Sequence, residues 1–439
     1  MLVGVKRLSN VKNLFKLYNN NNNQQQQSIS NNSNRKYFYC STSSTSSTAG
    51  NNSNTSIDDS ELVHRTLTIE EIEQFKSQGY LVKKGLFGDQ DNDRLLTQHQ
   101  VELRDYLVKN AEIDLSNCSI GSRTEAIQLD NQHEKIAHVS NGFGGMINFY
   151  HGTAMYRLRE SPLLYDSFSQ LYQHTYAIGD GRIPNDNLNV EPQDSDPWPC
   201  KYGSFNPYHM YMFVNRCSFR IPTIGHETIQ KPLDQLIQRG TGTHMDCNPY
   251  HLFSGEIRNG ETGQMQPSPL RFWQPIQAFI SLTDTINPDE GGFWCLPSFH
   301  TKCVSHFNST KLQQPSWIDK PLLKRGNAFD MDESEYGSMI GQMKFIPIKR
   351  GDILFFDWRT PHHNDARHVG NSIREVVYSA HLPKVSVNET YAAKQLNWYL
   401  SGAHPSYVSK AFSKLEMDNY SPPPLTPLGE KLISLQPWS

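Results

Sequence analysis

His244 and Asp246 stand two residues apart in the stretch Gly242-Thr243-His244-Met245-Asp246-Cys247-Asn248-Pro249. In an extended strand, side chains two apart leave the backbone on the same side, so an imidazole and a carboxylate project toward one point. That is half of a metal site. A third ligand from a distant segment would complete a face of two histidines and one carboxylate, leaving positions open for a cosubstrate and oxygen. Thr360-Pro361-His362-His363-Asn364 supplies two candidates. Alone, His-x-Asp is equally compatible with two polar residues near a strand end, so other residues must decide.

Arg374 lies twelve residues after His362 and eleven after His363. It opens the run Arg374-Glu375-Val376-Val377-Tyr378-Ser379-Ala380 and shares a strand face with Val376, Tyr378 and Ala380. A guanidinium among apolar neighbours requires an anion, because a buried unpaired charge is strongly destabilising. One candidate is an internal aspartate, Asp352 or Asp357. The other is the far carboxylate of a dicarboxylic cosubstrate. His244, Asp246, a distal histidine and Arg374 are together the parts of a non-haem Fe(II) site that uses 2-oxoglutarate. The cosubstrate would chelate iron through its keto and adjacent carboxylate oxygens, and Arg374 would grip the far carboxylate in a two-pronged fork that lysine cannot reproduce.

These residues need strands to hold them. From about Tyr202 onward the chain reads as short β-rich runs with turn residues between: Tyr208 to Val214, Ile276 to Leu282, Asp352 to Phe356 and Arg374 to Ala380. Such a series predicts a sandwich or jelly roll whose mouth holds a ligand. Pro361 should end the strand that starts at Ile353, leaving His362 and His363 just past it. The polar stretch from Ser305 to Phe345 reads either as a lid over that mouth or as a surface insertion. Upstream, Thr68 followed by Glu71 predicts a helix with a capping box, then a short strand from Gly79 to Val82. Apolar spacings of three and four predict helices around Asp91 to Asn110 and Pro162 to His174, and Asp180 to Trp198 reads as a loop.

Composition limits the remaining possibilities. Of the 439 residues, 1–57 carry six Lys or Arg and no Asp or Glu, so a net charge of -3 leaves -9 for the other 382. The folded part lacks the basic excess that nucleic-acid binding needs. No apolar run reaches the roughly 18 residues of a membrane span. The seven cysteines contain no C-x-x-C pair, which disfavours structural zinc and a disulfide framework. The basic opening, with Leu8, Val11, Leu14, Phe15 and Leu17 at helical spacings, resembles an organelle transit peptide, so the expected location is mitochondrial or cytoplasmic. Asn19 to Ser56 is an Asn, Gln and Ser-rich tract expected to be a disordered spacer.

Four ordered blocks resemble the signature of the phytanoyl-CoA dioxygenase-like family. They are Thr243 to Pro249, Gln277 to Asp284, Gly291-Gly292-Phe293-Trp294-Cys295-Leu296-Pro297-Ser298-Phe299-His300, and Gly351-Asp352 through His362 to Arg374. The resemblance implies a double-stranded β-helix (jelly roll, cupin-like), mainly β with flanking helices. It also implies Fe(II) as metal, 2-oxoglutarate as cosubstrate, hydroxylase-type chemistry with O2, and a small-molecule or lipid-type substrate. It assigns His244 and Asp246 as iron ligands and Arg374 as the cosubstrate arginine. For the third ligand, counting from Phe355-Phe356 favours His362, and counting back from Arg374 also admits His363. Where the family has Pro-Gly-Ser-His this chain has Pro297-Ser298-Phe299-His300, and His300 reads as a turn residue. Related iron halogenases lose the carboxylate that Asp246 keeps, which favours hydroxylation. The expected organisation is 1–57 basic and low-complexity, 58–200 a helical flank packed on the barrel, 201–385 the oxygenase core, and 386–439 a C-terminal helix and Pro-rich tail. Two rivals remain: a zinc hydrolase on the same ligands, and a non-catalytic binding or scaffold protein on a retained jelly roll.

Overall fold

The computed structural model of the protein describes residues 66–137, 139–140, 145–177, 198, 200, 202, 204–222, 242–249, 256–258, 265–267, 272–307, 328–405 and 420–438. The expected transit peptide and low-complexity spacer lie outside these residues. So do most of the loop ending at Trp198 and the middle of the Ser305–Phe345 stretch.

Fifteen short strands are described: β1 Tyr80–Lys83, β2 Met146–Ile147, β3 Met210–Met212, β4 Cys217–Arg220, β5 His244–Met245, β6 Glu256–Arg258, β7 Met265–Pro267, β8 Ile276–Ser281, β9 Phe293–Cys295, β10 Phe329–Asp330, β11 Lys344–Ile346, β12 Ile353–Asp357, β13 His362–Asn364, β14 Arg374–Tyr378 and β15 His381–Pro383. A six-stranded sheet has the order β1-β12-β8-β14-β4-β2, and a five-stranded sheet the order β10-β5-β13-β9-β11. Every pairing is antiparallel. The chain crosses repeatedly between the two sheets: β4 to β5, β8 to β9, β11 to β12, β12 to β13 and β13 to β14.

The sheets meet face to face over a small aromatic and aliphatic interior. Phe279, Leu354, Phe356 and Val376 from the larger sheet pack with Phe293, Cys295 and Ile346 from the smaller one. The ring centroids of Phe293 and Phe356 are 5.2 Å apart. β12 carries an unbroken apolar run because both of its faces are covered. Leu354 and Phe356 point inward, while Phe355 packs edge-on against Phe168 of the helix Pro162–Gln173, centroid to centroid 5.3 Å. That helix, together with Ile69–Gln78 and Gln90–Ala111, builds the large core on the outer face of the six-stranded sheet. Thr68 and Glu71 form the expected capping box on the Ile69–Gln78 helix. The outer side of the five-stranded sheet is closed by Phe299, Phe307 and Tyr336 packed on Met245 and Phe329.

Three features depart from the expectations. Besides the expected strand β1, the helical flank supplies β2, the other edge strand of the six-stranded sheet. Met210–Met212 pairs with β15 in a separate two-stranded sheet and in neither of the two large sheets. His362 and His363 do not trail from a strand end: Trp358 to Pro361 carries the chain across to the other sheet, where His362 opens β13. No described helix is long and apolar enough to cross a membrane.

A buried ion cluster ties helix to sheet. Arg104 on the Gln90–Ala111 helix donates to Glu375 on β14 at 2.6 Å and to Glu125 at 2.7 Å, and Gln100 also donates to Glu375 at 3.0 Å. Replacing Arg104 with methionine would leave two carboxylates buried without their cation, at a cost of about 3–5 kcal/mol. A correspondingly lower urea midpoint is the expected result, and an unchanged midpoint would show that water reaches the cluster.

Burial also holds three histidines neutral. His99, His368 and His381 have pKa values pushed down to about 3, 3 and 4, with desolvation the leading cause in each. Because these lie below the unfolded value of about 6.5, the unfolded chain takes up protons first as pH falls. Stability present above pH 6.5 is then lost on the way down, at about 1.4 kcal/mol per histidine per pH unit. Urea midpoints should therefore fall between pH 7 and pH 5, where most carboxylates are still ionised. A flat profile across that window would mean these rings protonate in place.

Candidate metal centre

The ladder between β5 and β13 sets His362 directly opposite His244. Their ring centroids are 4.4 Å apart. Asp246, just past the end of β5, turns its carboxylate to both rings, with Oδ1 3.7 Å from Nε2 of His244 and Oδ2 3.4 Å from Nε2 of His362. One ligand atom from each of the three residues lies within 4.8 Å of the others.

The rings are held by their other nitrogens. Nδ1 of His244 lies 2.9 Å from the Gly242 carbonyl oxygen, and Nδ1 of His362 lies 3.0 Å from that of Thr360. A carbonyl can only accept, so each Nδ1 carries the proton and each Nε2 presents its lone pair to the carboxylate side. This is the outer hydrogen bonding that orients metal-binding imidazoles. Burial pushes the pKa of His362 down to about 4, His244 adds to the shift and Asp246 opposes it. The ring is therefore neutral near pH 7, as ligation requires.

His363 takes the other face. Its Nδ1 is 3.0 Å from the Thr243 hydroxyl, and its ring lies parallel to Trp294, its cross-strand neighbour. His300 sits in the 3-10 turn Phe299–Lys302, bonded through Nε2 to the Lys76 carbonyl at 2.9 Å and stacked on Trp198. It is part of the fold's packing and lies outside the three-residue cluster.

Arg374 points into the same interior and is 3% exposed. Neither aspartate considered as its partner reaches it. Asp352 accepts from the backbone amides of Gly85 and Lys349, and Asp357 is occupied by Arg359 and the Tyr176 hydroxyl. Its sequence neighbour Glu375 faces the helices on the opposite side of the strand, bound to Arg104. Among the described residues what remains is one bond, from Nη2 to the Asn364 side-chain oxygen at 3.1 Å, while Nε and Nη1 are buried with no hydrogen-bond partner. Burial lowers its pKa to about 10, so the guanidinium is still charged at neutral pH.

The cluster opens on a cavity of about 150 Å³. His244, Asp246, His362 and Asn364 line one part of it, and Phe279 and Phe293 are among the aromatic walls. The residues fit a divalent cation with a bound anion. Three donors converge on it, and the buried guanidinium of Arg374 bonds to Asn364 and lies over Phe279, both of which line the cavity.

No family model matches the chain, and no curated protein matches it. Solved structures do match at the level of the fold. A hypothetical protein from Escherichia coli, JW0805, overlays with a TM-score of 0.56 at 16% identity, covering 84% of this chain and 81% of that one. GlcNAc Inducible Gene 2, GIG2 (DUF1479), from Candida albicans gives 0.57 at 14% identity, covering 86% and 78%. A candidate oxidoreductase from Salmonella typhimurium LT2 gives 0.54 at 15%, covering 84% and 82%. The chain shares their fold over most of its length.

Two residues of this interior escape a reading by motif. Asn364 shares a strand face with His362 and, among the described residues, is the one side chain hydrogen-bonded to Arg374. Arg220, on β4, is the direct cross-strand partner of Arg374. Its signal was the alternation Arg216-Cys217-Ser218-Phe219-Arg220, which places arginines on one face of a strand whose other face is apolar.

Proposed function

We propose that this chain is an Fe(II)- and 2-oxoglutarate-dependent dioxygenase, an oxidoreductase that hydroxylates a small-molecule or lipid-type substrate with succinate and CO2 as coproducts. The observation that carries this reading is the pairing of a convergent His244–Asp246–His362 cluster with a buried, acid-free guanidinium, Arg374, in one interior. A zinc hydrolase would account for the first and leave the second without a role. The four sequence blocks resembling the phytanoyl-CoA dioxygenase-like family support the same chemistry, as does the oxidoreductase description of the Salmonella neighbour. The interleaved orders β4-β14-β8-β12 and β5-β13-β9-β11 support a double-stranded β-helix as the fold that carries it.

In this reading His244, Asp246 and His362 hold the iron on one face, and Asp246 offsets part of its charge. When bound, iron and 2-oxoglutarate supply the oxidising chemistry, which the side chains themselves cannot. The Gly242 and Thr360 carbonyls keep both imidazoles in the ligating tautomer. Arg374 positions the cosubstrate by its far carboxylate, with Asn364 fixing the guanidinium's direction. Phe279, Phe293 and Phe356 keep water from the reacting centre.

Anaerobic addition of Fe(II) and 2-oxoglutarate to the purified chain should produce a visible charge-transfer absorbance that requires both components. Admission of air should then convert 2-oxoglutarate to succinate, slowly even without the natural substrate. Neither signal appearing at saturating concentrations would remove the reading.

A further inference from the structure

We propose that Arg220 is a second guanidinium for the cosubstrate, so that one far carboxylate is held between Arg220 and Arg374. The inference deepens the proposed function and rests on it.

Arg220 and Arg374 face each other directly across the β4–β14 ladder, and directly opposed residues share a sheet face. That face is the inner one, because Val376, two residues along from Arg374, packs in the interior aromatic cluster. Their chain neighbours Phe219 and Val377 belong to the core on the helix side. Arg220 is 1% exposed. It gives one bond, from Nη2 to the Ala366 carbonyl at 2.8 Å, and its Nε and Nη1 are buried with no hydrogen-bond partner. Asp365, next to Ala366 in the chain, is paired with Arg367 at 3.2 Å and acts on Arg220 only through its charge. Among the described residues neither Arg220 nor Arg374 has a salt-bridge partner.

Two buried cations side by side repel, and desolvation adds to the cost. Arg220 has its pKa lowered to about 10 by burial first and by Arg374 second, yet both side chains stay charged at neutral pH. A carboxylate offers about four acceptor sites and can serve two guanidinium groups at once. Two glycines make room for the Arg220 side chain itself. Gly291 has φ +69, and a Cβ placed there would stand 3.2 Å from Arg220 Nε. A Cβ on Gly145 would stand 2.7 Å from Arg220 Cγ. The glycines therefore let Arg220 lie inside the sheet rather than at its rim.

The test is binding, measured without turnover. Protein loaded with Mn(II) under anaerobic conditions is titrated with 2-oxoglutarate and with 2-oxobutanoate, which keeps the chelating end and lacks the far carboxylate. Arg220→Met should weaken 2-oxoglutarate about 10- to 100-fold, as expected for loss of a charged hydrogen-bonding partner, and leave 2-oxobutanoate within about two-fold. Arg220→Lys should fall between, since it keeps charge without the fork. In the absence of ligand, Arg220→Met should melt no lower than wild type, because it removes an unpaired buried cation. Unchanged 2-oxoglutarate affinity, or an equal loss for both oxo acids, overturns the assignment of Arg220 alone. If Arg220→Met does not fold, the Lys variant carries the same comparison. Failure of wild type to bind 2-oxoglutarate in a metal-dependent way would instead bring down the proposed function and this inference with it.

Discussion

Asp246→Ala is expected to lose metal affinity by more than about 100-fold and to reduce succinate formation to background. The lower bound comes from the 10–100-fold that loss of a mere outer-shell partner costs; Asp246 would itself be a ligand, and the only anionic one. Its loss would leave two neutral imidazoles to hold a dication. The folded protein should tolerate the change. Asp246 is partly exposed, and among the described residues its carboxylate anchors no backbone group, so the melting temperature without metal should move little. His362→Ala should behave similarly, whereas His363→Ala should keep metal binding within a few-fold, because His363 faces Thr243 and Trp294. Metal content after anaerobic loading and dialysis reads all three. Full metal occupancy in Asp246→Ala, or a larger loss in His363→Ala than in His362→Ala, would contradict the site.

Arg374→Met should have the second largest effect, a fall of about 100-fold or more in 2-oxoglutarate affinity with metal binding intact. Two hydrogen bonds to a charged carboxylate are each worth about 1.5–3 kcal/mol, and methionine fills much of the volume while offering neither. Arg374→Lys should recover only part of the loss, since an ammonium cannot match both oxygens of a carboxylate in one plane. Stability gives an independent reading. A guanidinium with Nε and Nη1 unpaired in the interior costs the ligand-free protein, so Arg374→Met should melt at or above wild type. The melting shift produced by 2-oxoglutarate should shrink in the same variant. If instead Arg374→Met lowers the ligand-free melting temperature sharply and leaves cosubstrate affinity unchanged, the guanidinium is a structural group.

The two arginine predictions depend on one feature of β14. Arg374 and Glu375 are adjacent and opposite in charge, and strand alternation sends them to opposite faces. Glu375 locks the helices onto the sheet through Arg104, and Arg374 is left inside with no acid partner among the described residues. Reading along the chain invites a local pairing of Arg374 with Asp352 or Asp357. Both of those carboxylates are already taken, by turn amides and by Arg359.

Local chemistry was legible from residues alone. Thr68 and Glu71 mark a helix start because a cap needs only residues three apart. The continuous apolar run of β12 announces a strand covered on both faces. The His244-x-Asp246 spacing puts two donors on one side of an extended chain. Each depends on interactions spanning a few bonds or one repeat of the backbone. The choice between His362 and His363 did not depend on anything so close. Both are adjacent in sequence and chemically identical, and a one-residue slip of β13 would exchange their faces. It was the ladder to β5, made across more than a hundred residues, that put His362 opposite His244. Arg220 is the same case, since its meaning comes from lying across from Arg374. Period-two alternation tells which side chains share a face. Which face turns inward, and what waits there, is fixed by pairing and packing between segments that the sequence places far apart.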